Sequence, residues 1–242
     1  PVGVGLAVAG QVDHESGNII FSPNLPFKEE YPIGAELQKR TGLPVKVEND
    51  ANAAAIGEKF FGAAREMTDF ISITLGTGLG SGIFTGGKLL RGASGAGGEA
   101  GHMVIDPDGP ICNCGNRGCL ETFCTGMAIA KMARERFGEP KSGKEVCDAA
   151  ASGDENAVKI LREAGSRLGD GLVSLVNIFN PEAVFFSGSL AGAPEVYFEP
   201  AFKKAREKSF GTFGKNLRLE TSRFADNIGV IGAAALCAER TD

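Results

Sequence analysis

Strand-like and helix-like segments alternate along this 242-residue chain, and the alternation limits the folds open to it. The apolar run at residues 2–8 predicts a strand, and residues 33–41 predict a helix that stops at Gly42. "VKVEND" is a short β-branched strand that runs into "ANAAAIGEKFFG", where small residues and Gly62 predict a closely packed helix and its end. Strands that alternate with helices in this way predict an α/β protein.

The same alternation continues downstream. "DFISITL" and "SGIFTGGKLLRG" predict two strands joined through "GTGLG", with Gly86 and Gly87 suited to a tight turn. Three further helices are predicted over residues 125–137, 144–151 and 155–179. Asn180 and Pro181 end the last of these, and "EAVFFSGS" then predicts a strand that leads into Gly188. The small-residue segment "IGVIGAAALCAER" predicts a final helix.

Composition and charge exclude several functional classes. A hydrophobic share of 43% and a charged share of 23% are enough to build a core in one or two lobes. The net charge of -5, with no block of like charges, lacks the basic stripe of a protein that binds nucleic acid or anionic lipid. No apolar run approaches the roughly 20 residues that span a bilayer. We therefore expect a cytoplasmic chain with no nucleic-acid partner and no membrane partner.

A cysteine-rich loop, "GHMVIDPDGPICNCGNRGCLE" at residues 101–121, carries the most specific local signal. His102, Cys112, Cys114 and Cys119 supply one imidazole and three thiolates, which is a donor set that tetrahedral Zn²⁺ accepts. With all four positions filled by protein, such an ion would be structural. Three other interpretations remain open: free buried thiols, a redox pair of Cys112 with Cys114, or a histidine that only packs.

The glycine-rich stretch "TLGTGLGSG" fits neither familiar nucleotide motif. Ser81 stands at the third anchor of a dinucleotide fingerprint and a strand follows it, whereas that fingerprint requires a helix. Residues 82–88 nearly spell a P-loop, but Leu89 stands where Ser or Thr would bind Mg²⁺. The stretch is either a tight hairpin or a turn whose backbone amides and Thr77 hydroxyl line an anion site.

Polar residues follow the strand in "VENDANAAA". Asn49 and Asp50 lie where this strand meets the next helix, so either residue can cap the helix, or a carboxylate there can accept a proton from a hydroxyl. Glu99 and Glu121 flank the cysteine loop, and a zinc ion would fix both. Carboxylates and amides held in this way suit a polyol, although each glutamate alone can equally be a solvated surface charge.

Taken in order, "VENDANAAAIGE", "ITLGTGLGSGIFTGGKLLRGASGAGGEAGH" and "CNCGNRGCLE" resemble the ROK family of bacterial sugar kinases and sugar-responsive repressors, and especially its glucokinases. The resemblance implies an α/β, actin-like (ribonuclease H-like), two-lobed ATPase fold with the sugar in the cleft. It places residues 1–50 in a small lobe, joined by a C-terminal helix at about 229–242, and residues 51–228 in a large lobe with the zinc loop.

For activity, the resemblance implies ATP-dependent phosphorylation of a hexose, most simply glucose to glucose 6-phosphate, by a homodimer that uses a structural Zn²⁺ and ATP with Mg²⁺. Asp50 would be the catalytic base. The implied sugar ligands are Asn24, Asn49, Asp50, Glu99, His102 and Glu121. The implied nucleotide contacts are Gly76, Thr77, Gly78, Gly188 and Ser189. The implied zinc ligands are His102, through its other ring nitrogen, Cys112, Cys114 and Cys119.

The chain departs from the family pattern at its start and in one turn. Family members carry an Asp-x-Gly-Gly-Thr strand before the segment that matches "GLAVAG", and the printed chain begins at that segment. The resemblance therefore implies that the first strands, the first phosphate turn and a Mg²⁺-associated Asp are absent from it. "SGS" also stands where a run of glycines is usual. Two alternatives stay open: the sugar-sensing effector domain of a ROK-type repressor, and a kinase for fructose, mannose or an N-acetylhexosamine.

Overall fold

The computed structural model describes residues 1–22, 25–26, 29–138 and 140–237, and it has the predicted alternation of strands and helices. The strands are β1 (Val4–Val8), β2 (Gln11–Asp13), β3 (Asn18–Phe21), β4 (Val45–Asn49), β5 (Phe70–Leu75), β6 (Leu79–Thr85), β7 (Lys88–Leu89), β8 (Ala183–Ser187) and β9 (Arg218–Thr221). The helices are α1 (Ile33–Thr41), α2 (Asp50–Phe60), α3 (Glu121–Cys124), α4 (Gly126–Phe137), α5 (Gly143–Ala151), α6 (Glu155–Phe179), α7 (Glu195–Lys208) and α8 (Ile228–Leu236). The α/β prediction is confirmed.

Predicted helix ends agree with the structure where a left-handed residue stops the helix. α1 ends at Gly42, whose φ is 68°, and α6 ends at Asn180, whose φ is 44°. Glycine and asparagine adopt this conformation at lower cost than other residues, so both stops are legible in the sequence. The hairpin of β2 and β3, within residues 11–21, was not predicted from the sequence. Its turn depends on Asp13, whose side chain accepts hydrogen bonds from the Glu15 amide and the Ser16 hydroxyl.

The described residues form two compact units. The first contains Pro1–Ile73, Ser81–Gly98 and the described part of Ser222–Asp242, and the second contains Thr74–Gly80 and Glu99–Thr221. α2 falls in the first unit because it packs against α8 through glycines. A Cβ atom at Gly57 would lie 2.6 Å from the Ile228 carbonyl oxygen, and Gly232 abuts the Ala53 backbone. The two lobes with a boundary at residue 50 stay a prediction.

In the first unit, parallel pairing brings two strand ends to one edge. β1 and β4 pair in parallel from Val4 opposite Val45 to Val8 opposite Asn49. Four side chains form the buried cluster below them: Val8, Val12, Ile19 and Val47. Because the carboxyl ends of parallel strands coincide, Asn49 meets the turn after β1, and its Nδ2 donates to the Gly10 carbonyl at 3.0 Å.

In the second unit, α6 and α7 pack together beside the parallel strands β8 and β9. Gly165 of α6 abuts the Tyr197 backbone, and the buried Tyr197 hydroxyl donates to the Cys124 carbonyl at 2.6 Å. Lys204 joins the two helices by donating to Asp170 at 2.7 Å. Among the described helices, none is both long enough and apolar enough to cross a bilayer.

Candidate functional site

At the junction of β4 and α2, the helix cap and the predicted proton acceptor are different residues. The Asn49 side chain accepts hydrogen bonds from the backbone amides of Ala51, at 2.9 Å, and Asn52, at 3.0 Å, so Asn49 is the helix cap. Asp50 is the first helical residue and is not the cap. Among the described residues, one amide hydrogen of Asn49 goes to Gly10 and the other has no recipient, so it is available to a ligand.

The Asp50 carboxyl has the environment of a proton acceptor. It is exposed, and its Oδ1 accepts the Ala51 amide at 2.9 Å. Desolvation by the surrounding protein raises the pKa of Asp50 above its ordinary value, and the hydrogen bond from Ala51 opposes that shift. A carboxylate with a raised pKa holds an accepted proton better near neutral pH, as a general base requires.

The cysteine loop brings its four predicted ligands together. His102 lies in the 3-10 turn Ala100–His102, and the ligand atoms of His102, Cys112, Cys114 and Cys119 all lie within 4.8 Å of one another. His102 Nδ1 is 3.6 Å from Cys112 Sγ, and Cys114 Sγ is 3.6 Å from Cys119 Sγ. Tetrahedral zinc with Zn–S bonds of about 2.3 Å separates its ligand atoms by about 3.7 Å. The cluster therefore fits a structural zinc ion.

The three thiols of this cluster differ in acidity. Desolvation raises the pKa of the Cys112 thiol to about 12 and also raises the pKa of Cys119. The Asn116 backbone amide lowers the pKa of Cys114, which is exposed. Buried thiols of this kind stay neutral without a positive charge, and a bound cation deprotonates them.

Glu121 joins the cysteine cluster to the glycine-rich turn. It is the first residue of α3, and its Oε2 accepts the Leu79 amide at 3.2 Å. Its Oε1 accepts a hydrogen bond from the Cys112 thiol at 3.4 Å. A Cβ atom at Gly78 would lie 2.8 Å from Glu121 Oε2, so glycine at this position keeps the carboxylate close to the turn. One predicted sugar ligand thus touches both the predicted metal site and the predicted phosphate turn.

The two predicted nucleotide segments lie side by side in the second unit. In the turn between β5 and β6, the Gly76 amide donates to the Gly78 carbonyl at 3.0 Å, and the Gly126 amide donates to the Gly76 carbonyl at 2.8 Å. A Cβ atom at Gly76 would lie 3.3 Å from Ser189 Oγ. The exposed Thr77 completes this turn. The sequence distance between these segments hides their proximity.

Gly188, which directly follows β8, offers a direct test of the second of these segments. Its φ of 85° disfavours a side chain, and a Cβ atom there would clash with the Leu75 carbonyl oxygen. We expect Gly188→Ala to lower the free energy of unfolding by roughly 1–3 kcal/mol, measured by chemical denaturation. Gly192→Ala is the matched control, because no atom of the described residues lies within 4 Å of a Cβ atom at Gly192. Equal stability of the two variants would contradict this conformational requirement.

The remaining predicted residues divide between the units. Asn49 and Asp50 lie in the first unit, and Glu99, His102 and Glu121 lie in the second. The Glu99 carbonyl accepts the His102 amide at 3.1 Å, which fixes Glu99 beside the zinc loop. Asn24 lies outside the described residues.

Two charged residues beside the Asp50 junction, Glu48 and Arg91, were not predicted from the sequence. Glu48 is 2% exposed, and its carboxylate pairs with Arg91 at 2.8 Å. The strand pattern gives the wrong signal for Glu48, because strict alternation places it on the same face as the exposed Lys46. A glutamate directly before the polar pair Asn49 and Asp50 is the sequence feature that sets this position apart.

Comparison with known structures identifies the class of protein. The chain resembles the ROK family glucokinase of Streptomyces griseus, solved with glucose and AMPPNP, at 36% identity and a TM-score of 0.87. The match covers 97% of this chain and 80% of that one. The architecture is accordingly that of the actin-like ATPases, as predicted. The ROK family model matches residues 1–240, and the chain belongs to the ROK family.

Relatives of known function include both enzymes and repressors. The glucokinase of Thermotoga maritima is 39% identical over 251 residues, which cover 98% of this chain and 79% of that protein. The xylose repressor of Caldicellulosiruptor bescii is 34% identical, with coverage of 97% of this chain and 62% of the repressor. The family resemblance stated from the motifs is confirmed, and the similarity extends to both functional classes.

Proposed function

We propose that this chain acts as an ATP-dependent hexose kinase that converts glucose to glucose 6-phosphate. The observation that carries the proposal is the state of Asp50: Asn49 caps α2 in its place, and Asp50 keeps an exposed carboxyl with a raised pKa. A repressor that only binds a sugar has no need of such a base. Similarity to the glucokinases of Thermotoga maritima and Streptomyces griseus supports the same proposal.

In this proposal, polar side chains named by the family motifs bind the sugar. Within the described part of the chain, Asn49 uses one of its two amide hydrogens, on the Gly10 carbonyl, and the other can donate to the sugar. Glu121 accepts the Leu79 amide and has acceptor capacity beyond it. His102 presents Nδ1 to the cysteines, which leaves Nε2 for a sugar hydroxyl. Asn24 and Glu99 complete the proposed ligand set. The zinc ion supplies no chemistry to the reaction and, when bound by His102 and the three cysteines, fixes the loop that carries these ligands.

Phosphoryl transfer depends mainly on positioning and on charge neutralisation. Asp50 accepts the proton of the attacking sugar hydroxyl as the oxygen bonds to the γ-phosphorus of ATP. The bond between the γ-phosphorus and the β–γ bridging oxygen breaks, and ADP leaves. In this proposal, the Thr77 hydroxyl, the Thr77 and Gly78 amides and the Ser189 hydroxyl donate to phosphate or nucleoside oxygens of ATP. Mg²⁺ bound to ATP neutralises the charge on the phosphates. The homodimer and the cytoplasmic location remain predictions.

A coupled assay on the complete protein tests the proposal. Purified protein is mixed with ATP, Mg²⁺ and, separately, glucose, fructose, mannose or N-acetylglucosamine, while ADP release and sugar phosphate are followed. We expect glucose to be the preferred acceptor. The similarity to the Caldicellulosiruptor bescii repressor favours an alternative role as a sugar-sensing effector domain. Calorimetric sugar binding without any phosphorylated product would overturn the kinase proposal in favour of that alternative.

The raised pKa of Asp50 gives the proposed reaction a defined pH dependence. Only the ionised carboxylate accepts a proton, so kcat/KM falls as pH drops through the pKa of Asp50 in the free protein. Because that pKa lies above the ordinary 3.8, the loss occurs at a higher pH than an unperturbed aspartate would give. The pH profile of kcat/KM for glucose is measured across the acid range, with circular dichroism to confirm folding at each pH. An acid limb at the ordinary aspartate value would contradict the expectation.

A further inference from the structure

Glu48 carries a buried carboxylate whose two oxygens are both occupied. Oε1 accepts the Asn49 backbone amide at 3.0 Å and the Asn52 side-chain amide at 3.1 Å. Oε2 accepts Nε of Arg91 at 2.9 Å and lies 2.8 Å from the Nη2 atom of Arg91. A carboxylate in this position is stable only when it is paired and hydrogen-bonded. The Arg91 guanidinium therefore supplies the opposite charge that a buried carboxylate requires.

This pair fixes the backbone on both sides of Asp50. The Glu48 carboxylate accepts hydrogen bonds from the backbone amide of Asn49 and from the side-chain amide of Asn52. These two residues lie on either side of Asp50 in the chain. Asn52 is 2% exposed, and its Oδ1 has no hydrogen-bond partner among the described residues. Among the described residues, the Asn52 side chain is therefore held by the hydrogen bond from its Nδ2 to Glu48.

Arg91 is itself held by a folded loop of the same unit. The Arg91 carbonyl accepts the Gly97 amide at 2.8 Å, which closes residues 91–97 into a compact turn. Within that turn the Ser94 carbonyl accepts Nε2 of Gln11 at 2.9 Å. The loop that carries Arg91 is therefore hydrogen-bonded to β2, and the Arg91 guanidinium contacts Glu48. Through Glu48 and Asn52, these contacts link the β2–β3 hairpin to the first turn of α2.

We propose that Glu48 and Arg91 are positioning residues that hold Asp50 in the geometry of a general base. The inference rests on the proposed kinase function. Neither residue needs to touch the sugar or ATP, because both act through the backbone and side chains of residues 49 and 52. Correct placement of a catalytic group matters on a scale of about 1 Å. The Glu48 carboxylate accepts hydrogen bonds from Asn49, Asn52 and Arg91, and such directional contacts fix the position of a neighbouring group more tightly than an apolar contact does.

The test compares three variants of the complete protein. Arg91→Met removes the cation and keeps most of the side-chain volume. We expect it to lower kcat about tenfold or more, with KM for ATP and the calorimetric Kd for glucose within about threefold of the parent. Glu48→Gln keeps the shape of the side chain and should lower kcat in the same way. Arg91→Lys restores a cation near Oε2 and should recover part of the lost kcat.

Arg136→Met is the matched control, because it breaks another arginine–glutamate pair, with Glu163, that is exposed and lies in the second unit. Its kcat should equal that of the parent. Each kcat is calculated per folded protein, so a loss of stability alone leaves kcat unchanged. If Arg91→Met does not fold, Glu48→Gln and Arg91→Lys carry the test. An active parent with unchanged kcat in the Glu48 and Arg91 variants would overturn the positioning role alone. A parent that phosphorylates no hexose would overturn the proposed function and this role with it.

Discussion

Asp50→Asn is expected to lower kcat by about 100-fold or more while most of the glucose affinity remains. The substitution preserves the size of the side chain and removes the acceptor of the hydroxyl proton. The Asn49 cap should survive, because its two hydrogen bonds come from the backbone amides of Ala51 and Asn52. Steady-state kinetics give kcat, and isothermal titration calorimetry gives the glucose Kd of the same preparations.

Asp154→Asn controls for the chemical change itself. Asp154 caps α6 by accepting the amides of Asn156 and Ala157, and asparagine caps helices about as well as aspartate. This variant should keep the parental kcat. If Asp50→Asn turned over glucose within about threefold of the parent, Asp50 would have no role as a general base.

Cys114→Ser is expected to abolish zinc binding and, with it, glucose binding. A serine hydroxyl is a poor substitute for a thiolate, so one of four ligands is lost. The parent should contain close to one zinc ion per chain by elemental analysis. Sugar affinity should fall in parallel, because His102 belongs to the cluster and Glu121 contacts Cys112. Calorimetry with glucose measures this loss.

Cys237→Ser provides the comparison, since Cys237 is a free cysteine of the first unit and lies outside the cluster. It should keep both the metal and the sugar affinity. Freshly purified parent protein that contained no zinc and still bound glucose would refute the structural role of the ion.

Local chemistry explains which features the sequence reveals. Helix ends at Gly42 and Asn180 follow from the left-handed conformations that these residue types adopt readily. The four candidate zinc ligands lie within a single loop, so their proximity in space follows from their proximity in sequence. The β4–α2 junction is also recognised from the sequence, because its polar residues are adjacent in the chain. Both Asn49 and Asp50 are residue types that cap helices, and only the structure assigns the cap to Asn49.

Features that depend on distant parts of the chain escape such reasoning. The contact of Glu121 with the Leu79 amide joins residues 42 positions apart, and that of Arg91 with Glu48 joins residues 43 positions apart. Strand alternation even points Glu48 the wrong way, because its burial depends on a cation supplied from another segment. Tertiary contacts decide these positions, and no local pattern encodes them.

The packing of α8 on α2 also has a consequence for biosynthesis. The first unit is discontinuous and needs residues from Ser222 onward, whereas every segment of the second unit precedes Ser222. On the ribosome, therefore, the second unit has all of its chain available before the helix that closes the first unit has been translated. The face of α2 at Ala53 and Gly57 has no packing partner until α8, with Ile228 and Gly232, has been translated. The zinc loop can already fold at that stage, so we expect nascent-chain intermediates with an ordered second unit and an unfinished first unit.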